Sequence, residues 1–197
     1  MESTKDEIAA MAARMVVEEG LDAGAAKRRA VKQLGLAMRT ALPDNDALER
    51  AVEEYIALFC ADTQPQELRA LREVALEWMQ RLQTFHPYLS GPVWHGTATR
   101  HTAVCLQLFC EDPKAAELAL INMGVRFDAG STAGWRGEMV DALSVQVRCD
   151  ALQDYVVVHL LMYDQDDLRG ALRPDTRGRT PRGDLAAVRA LLHDVGP

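Results

Sequence analysis

The 197-residue sequence predicts an α+β protein, with a helical region over residues 1–85 and a small mixed β-sheet with flanking helices over 86–197. Three observations predict it. Apolar residues recur at helical spacing through the first 85 positions. From Pro87 onward, β-branched residues, glycines and short apolar runs replace that pattern. Residues 155–163, YVVVHLLMY, are nearly continuously apolar, as a central strand buried on both faces would be.

The elements follow in order. Residues 4–19 place Ile8, Met11, Met15 and Val16 on one helical face, and Gly20 supplies a left-handed stop. Asp22 caps a second helix to about Leu36, with Ala26, Ala30, Val31 and Leu34 inward and Gly35 near its end. The turn 43–46 precedes a third helix whose inner stripe is Leu48, Val52, Tyr55, Ile56 and Phe59. Thr63 and Gln66 form a capping box for a fourth helix to about Thr84, with Pro65 in its first turn. It buries Leu68, Leu71, Val74, Ala75, Trp78, Met79 and Leu82. Strands are expected at 88–93 and 104–109, around a glycine turn. A helix opened by Pro113 runs to Met123 and ends at Gly124. A short strand at 125–129, a glycine-bearing loop at 130–137 and an alternating strand at 140–147 come next. After the apolar strand, helices at 166–172 and 183–193 flank an arginine-rich loop.

Composition bounds the function. Hydrophobic residues make up 48% and charged residues 26%, as in ordinary globular domains. A net charge of -7 argues against nucleic acid and anionic membranes as general partners. The basic runs KRRAVK (27–32) and RPDTRGRTPR (173–182) read as a solvated helix face and a charged loop. The segment AARMVVEEGLDAGAAKRRA has the turn and basic residues of a helix-turn-helix start, but the acidic balance makes DNA a poor partner. The acidic, polar N-terminus MESTKDE is unlike a signal peptide, and no apolar run approaches a membrane span. Cys60, Cys105, Cys110 and Cys149 show no CxxC spacing and read as reduced, mostly buried thiols, which points to a cytoplasmic protein.

The stretch YLSGPVWHGTATRHTAVCLQLF, residues 88–109, carries the functional signal. Gly91, Gly96-Thr97 and the alternating run after them resemble the active-site segment of the nucleotidyltransferase superfamily. There a strand ends in Gly-Ser, a GT-containing turn follows, and a second strand carries two aspartates as Asp-x-Asp. The resemblance covers about 22 residues well and about 80 loosely, and leaves residues 1–85 unaccounted for. It implies divalent-metal chemistry, with three carboxylates on neighbouring strands holding the ions.

This sequence departs from that pattern where the chemistry is done. Pro92 stands in place of the serine and removes both a hydroxyl and a backbone N–H. The two aspartate positions fall on Ala103 and Cys105, which offer a methyl group and a soft thiol. The third carboxylate belongs on the strand at 155–163, whose interior polar side chain is His159. Gly91, Pro92, Gly96, Thr97, Ala103, Cys105 and His159 therefore outline a vestigial site with no metal, no cofactor and no catalytic residue expected. His95, Arg100 and His101 flank the turn and are candidates for phosphate contact.

The expected function is that of a nucleotidyltransferase-like pseudoenzyme that binds a nucleotide or a protein, a homodimer included. Two competitors stand beside it. One is a working transferase that holds metal with Glu111, Asp112, Asp164, Asp166 or Asp167, although acids near helix starts usually serve the helix dipole. The other is a purely structural or interaction protein. Cys105 with His159 as nucleophile and base, or as half of a zinc site, is a weaker option. The label UDP-N-acetylmuramate–alanine ligase, carried by some bacterial proteins of this length, does not fit: the sequence has no Gly-x-x-x-x-Gly-Lys-Ser/Thr loop and is too short for that enzyme's domains.

Overall fold

A computed structural model describes residues 2–175 and 177–193. Thr176, in the arginine-rich loop, lies outside the described residues. The protein is α+β, with helices leading and a six-stranded mixed sheet following. It divides into two compact units, residues 1–68 with 97–102, and residues 69–96 with 103–197. Among the described residues no helix is long and apolar enough to cross a membrane.

The first unit is helical. It holds α1 (Glu2–Glu19), α2 (Ala23–Gln33), α3 (Asn45–Phe59) and the first turn of α4 (Gln64–Arg81). Asp22 and Asp44 cap α2 and α3 by accepting from the backbone N–H of Ala25 (2.9 Å) and Ala47 (2.7 Å). Each cap satisfies an N–H that the helix itself leaves unpaired. Asp44→Ala should therefore cost about 1 kcal/mol in denaturant unfolding, and Asp44→Asn much less.

The core of this unit joins Ile8, Met15, Ala26, Ala30, Val31, Leu48, Val52 and Ile56, with Met11, Val16, Leu34 and Tyr55 packed at its margin. Two expectations need correction. Phe59, expected on the inner stripe, is 70% exposed at the end of α3, where its ring lies 4.7 Å from that of Tyr55. Lys27, expected on a solvated face, is buried, because its ammonium donates to Pro43 O (3.1 Å) and Asn45 Oδ1 (2.8 Å). Those two acceptors replace the water it gives up.

In the second unit the sheet order is β3-β4-β5-β2-β1-β6. The strands are β1 (Tyr88–Ser90), β2 (Val104–Cys110), β3 (Asp128–Ala133), β4 (Met139–Cys149), β5 (Asp154–Asp164) and β6 (Arg182–Gly183). Strands β2 and β5 run parallel, and every other neighbouring pair is antiparallel. Helices α5 (Gly91–His95), α6 (Pro113–Asn122), α7 (Leu168–Ala171) and α8 (Leu185–His193) complete the unit with the rest of α4. Leu89, Leu106, Leu143 and Leu160 form one paired, buried row on the aliphatic face. On the other face Phe109, Val140, Ala142, Leu161 and Tyr163 pack together with Leu168 and Ala171 of the α7 segment.

Several boundaries move. The strand expected at 88–93 stops at Ser90, because Gly91 turns left-handed (φ 71°) and opens α5. The strand expected at 125–129 lies at Asp128–Ala133 and absorbs half of the expected glycine loop. All six of its residues are exposed, so burial imposed no alternation on the sequence. The helix expected at 166–172 is a 3-10 turn, Gln165–Asp167, followed by the single turn α7. The expected helix at 183–193 begins only at Leu185, because Gly183 belongs to β6, a two-residue edge strand. β5 is central, yet only its second half is buried on both faces; Tyr155 is 61% exposed.

Candidate functional site

Strand pairing gathers the polar residues of the mixed face into one row. Ser144 on β4 pairs with His159 on β5, His159 with Cys105 on β2, Cys105 with Ser90 on β1, and Ser90 with Arg182 on β6. Paired residues project to the same side of a sheet, so five side chains from five strands stand in line. The next residue of β2 on that face is Gln107, whose Oε1 accepts from Arg182 Nη1 at 2.5 Å. Phe109 follows, edge-on to Tyr88 and stacked with Tyr163.

Each member has a defined electrostatic setting. His159 Nδ1 is 2.9 Å from Ser144 Oγ. Burial holds the His159 pKa below its ordinary value of 6.5, so the ring is neutral at pH 7. Burial likewise pushes the Cys105 thiol up, opposed only in part by a hydrogen bond from Ser90 and the positive charge of Arg182. A thiol in that state is a weak nucleophile and a poor ligand for hard cations. Arg182 is 5% exposed, and burial lowers its pKa, opposed by the Tyr163 and Cys105 groups beside it. The expectation that residues 173–182 form a solvated charged loop fails at this end: β6 inserts Arg182 beside β1 and carries its side chain onto the covered face.

The depressed His159 pKa has a consequence for stability. The unfolded chain takes up a proton near pH 6.5 and the folded protein does so only at lower pH, so stability falls as pH drops through that window. His159→Gln should flatten this loss. Urea unfolding of both proteins at pH 7.5 and pH 5 would show it, and an unchanged pH dependence would refute it.

The turn has its own construction. Gly91 (φ 71°) opens α5 and Gly96 (φ 93°) closes it, donating its N–H to Pro92 O at 2.8 Å. Pro92 is exposed in the first turn of α5, where its missing N–H leaves no hydrogen bond unmade. Arg72 of α4 braces the end of the turn, donating to Val93 O (3.1 Å) and Trp94 O (3.3 Å). The Trp94 indole N–H donates to Thr180 O (2.7 Å), and its ring packs so close to Gly183 that a Cβ there would clash with it.

The residues singled out in sequence are thus partly assembled. Cys105 and His159 are neighbours, whereas Ala103 sits one residue before β2 and outside the ladder. His95 ends α5. Thr97, Arg100 and His101 belong to the helical unit. There the Arg100 N–H donates to Glu67 Oε2 (2.9 Å), and His101 O packs so close to Gly20 that no Cβ would fit. Ser90, Gln107, Ser144 and Arg182 were missed. Nothing local distinguishes them, since their common row depends on register between distant strands.

Three of the acids proposed as substitute metal ligands serve other ends. Asp112 caps α6 by accepting from Lys114 N (2.9 Å), and Asp164 accepts from Asp166 N (3.0 Å). Asp167 pairs with Arg136 at 2.6 Å. Among the described residues no three histidine, cysteine, aspartate or glutamate side chains come together in a way that could hold a metal ion. The cysteines are unpaired; Cys110 and Cys149 are buried, Cys60 and Cys105 partly so. Compared with protein-family models, curated proteins and solved structures, the chain matches none of them.

Proposed function

We propose that the chain is a catalytically silent nucleotidyltransferase-like protein that binds a nucleotide in the vestigial site. The pairing of Cys105 with His159 carries this reading. The resemblance puts metal-binding carboxylates at those two positions on neighbouring strands, and here they hold a protonated thiol and a neutral imidazole. Magnesium requires hard oxygen ligands in near-octahedral array, and Ala103 adds none. The order of parts also supports the resemblance: a strand, a glycine-bounded turn, a second strand, a helix, and a later strand beside the second.

A thermal-shift series with nucleoside mono-, di- and triphosphates, each with magnesium, manganese or zinc, tests it. A nucleotide at 100 times its Kd should stabilise the fold by about 2.7 kcal/mol. No nucleotidyl transfer from any nucleoside triphosphate should accompany binding. Transfer in magnesium that responds to substitution of Cys105 would overturn the reading. A protein partner in place of a nucleotide becomes the better reading if no nucleotide shifts the melt.

A further inference from the structure

Arg182 presents a charge without a counter-ion. Its side chain is almost wholly enclosed, yet its hydrogen-bond partner is the neutral Gln107 amide, and its Nε has no hydrogen-bond partner among the described residues. No carboxylate of the described residues pairs with it. A buried guanidinium in neutral company is costly, because lost hydration is not replaced by an opposite charge. The groups around it are hydrogen-bond donors or neutral acids: the Ser90 hydroxyl, the Cys105 thiol and the Tyr163 phenol. Burial raises the Tyr163 pKa, so its phenol keeps its proton and can donate it.

What covers Arg182 is the tip of the β3–β4 hairpin. The Trp135 ring lies over the guanidinium, 5.0 Å from its carbon, and also faces Arg136 at 4.3 Å. Trp135 is 36% exposed and sits between Gly134 and the left-handed Gly137. An indole face satisfies a cation only weakly compared with an oxyanion, which accepts two parallel N–H bonds from one guanidinium.

We infer that Arg182 anchors an anion site on the mixed face of the sheet, which takes the phosphate group of a ligand without a metal ion and in exchange for the Trp135 indole. Cys105 and Tyr163 supply the further donors. The inference rests on the binding reading above and names the group that would replace metal in holding the ligand's phosphate.

The test uses the full chain in buffer with a chelator at constant ionic strength. Inorganic phosphate is titrated while tryptophan emission and melting temperature are followed, with sodium chloride as the control and Trp135→Phe to isolate the Trp135 signal. The expected result is a saturable change in Trp135 emission with a raised melting temperature, weakened about tenfold or more in Arg182→Met. Arg182→Lys, which keeps the charge but loses the fork, should fall between them and serves if the methionine variant does not fold. A response equalled by chloride, or one retained in the Arg182 variants, overturns the site. Nucleotide binding that needs magnesium and ignores Arg182 sinks this inference and leaves the binding reading standing. Phosphate bound at Arg182 with no nucleotide bound does the reverse.

Discussion

Phe109→Ala should destabilise the protein by about 3–5 kcal/mol. Phe109 is fully buried near the end of β2. Its ring stands edge-on to Tyr88 (centroids 5.6 Å apart, 89°) and stacks with Tyr163 (5.5 Å, 26°). Truncation removes both aromatic contacts and leaves a cavity on the sheet face, over strands that hold their spacing through backbone hydrogen bonds, so collapse around it is limited. Urea unfolding should show a lower midpoint with an unchanged slope. Leu118→Ala is the contrast: at 57% exposure on α6 it should stay within about 0.5 kcal/mol of the parent. Similar effects from the two substitutions would mean the aromatic cluster is not packed as described.

Gly183→Ala should cost about 2–3 kcal/mol through overpacking. A Cβ at this position would lie 2.1–2.7 Å from three atoms of the Trp94 ring, separations that real Cβ atoms do not adopt. The ring cannot easily retreat, because its Nε1 is tied to Thr180 O and the backbone of α5 is braced by Arg72. The backbone cannot retreat either, since Gly183 pairs with Leu89 in the ladder. A double-mutant cycle with Trp94→Ala isolates the cause. With the indole gone, Gly183→Ala should cost almost nothing. Equal cost in both backgrounds would place the penalty elsewhere. Because Arg182 precedes Gly183, the same variant should also disturb the anion response.

Much of the architecture was legible along the chain because its signals are local. Helices α1 to α4 were written in the spacing of Ile8, Met15, Val31, Val52 and Leu71, and Asp22 announced its own cap. β2 and β5 declared themselves by apolar runs. The errors lie where local signals are weak or misleading. β3 is exposed on both faces and carries no periodicity, and β6 has two residues. Phe59 follows the helical period but reaches the end of α3, where it stays largely exposed beside Tyr55. Lys27 and Arg182 sit in basic runs that resemble solvent-facing surface, and only remote partners, Asn45 with Pro43 and Gln107, draw them inside.

The sequence by itself determined which groups residues 88–109 carry: a methyl group at Ala103, a thiol at Cys105 and a proline at Pro92 are matters of identity, independent of how the chain folds. It also determined most of the order of helices and strands, α5 and β6 apart, since periodicity and caps act within a few residues. Only the tertiary structure decided that Ser144, His159, Cys105, Ser90 and Arg182 stand in one row and that Arg182 lies buried under Trp135. Strand register sets that row, and register is a property of pairs of strands whose hydrogen bonds and shared core select one alignment out of several.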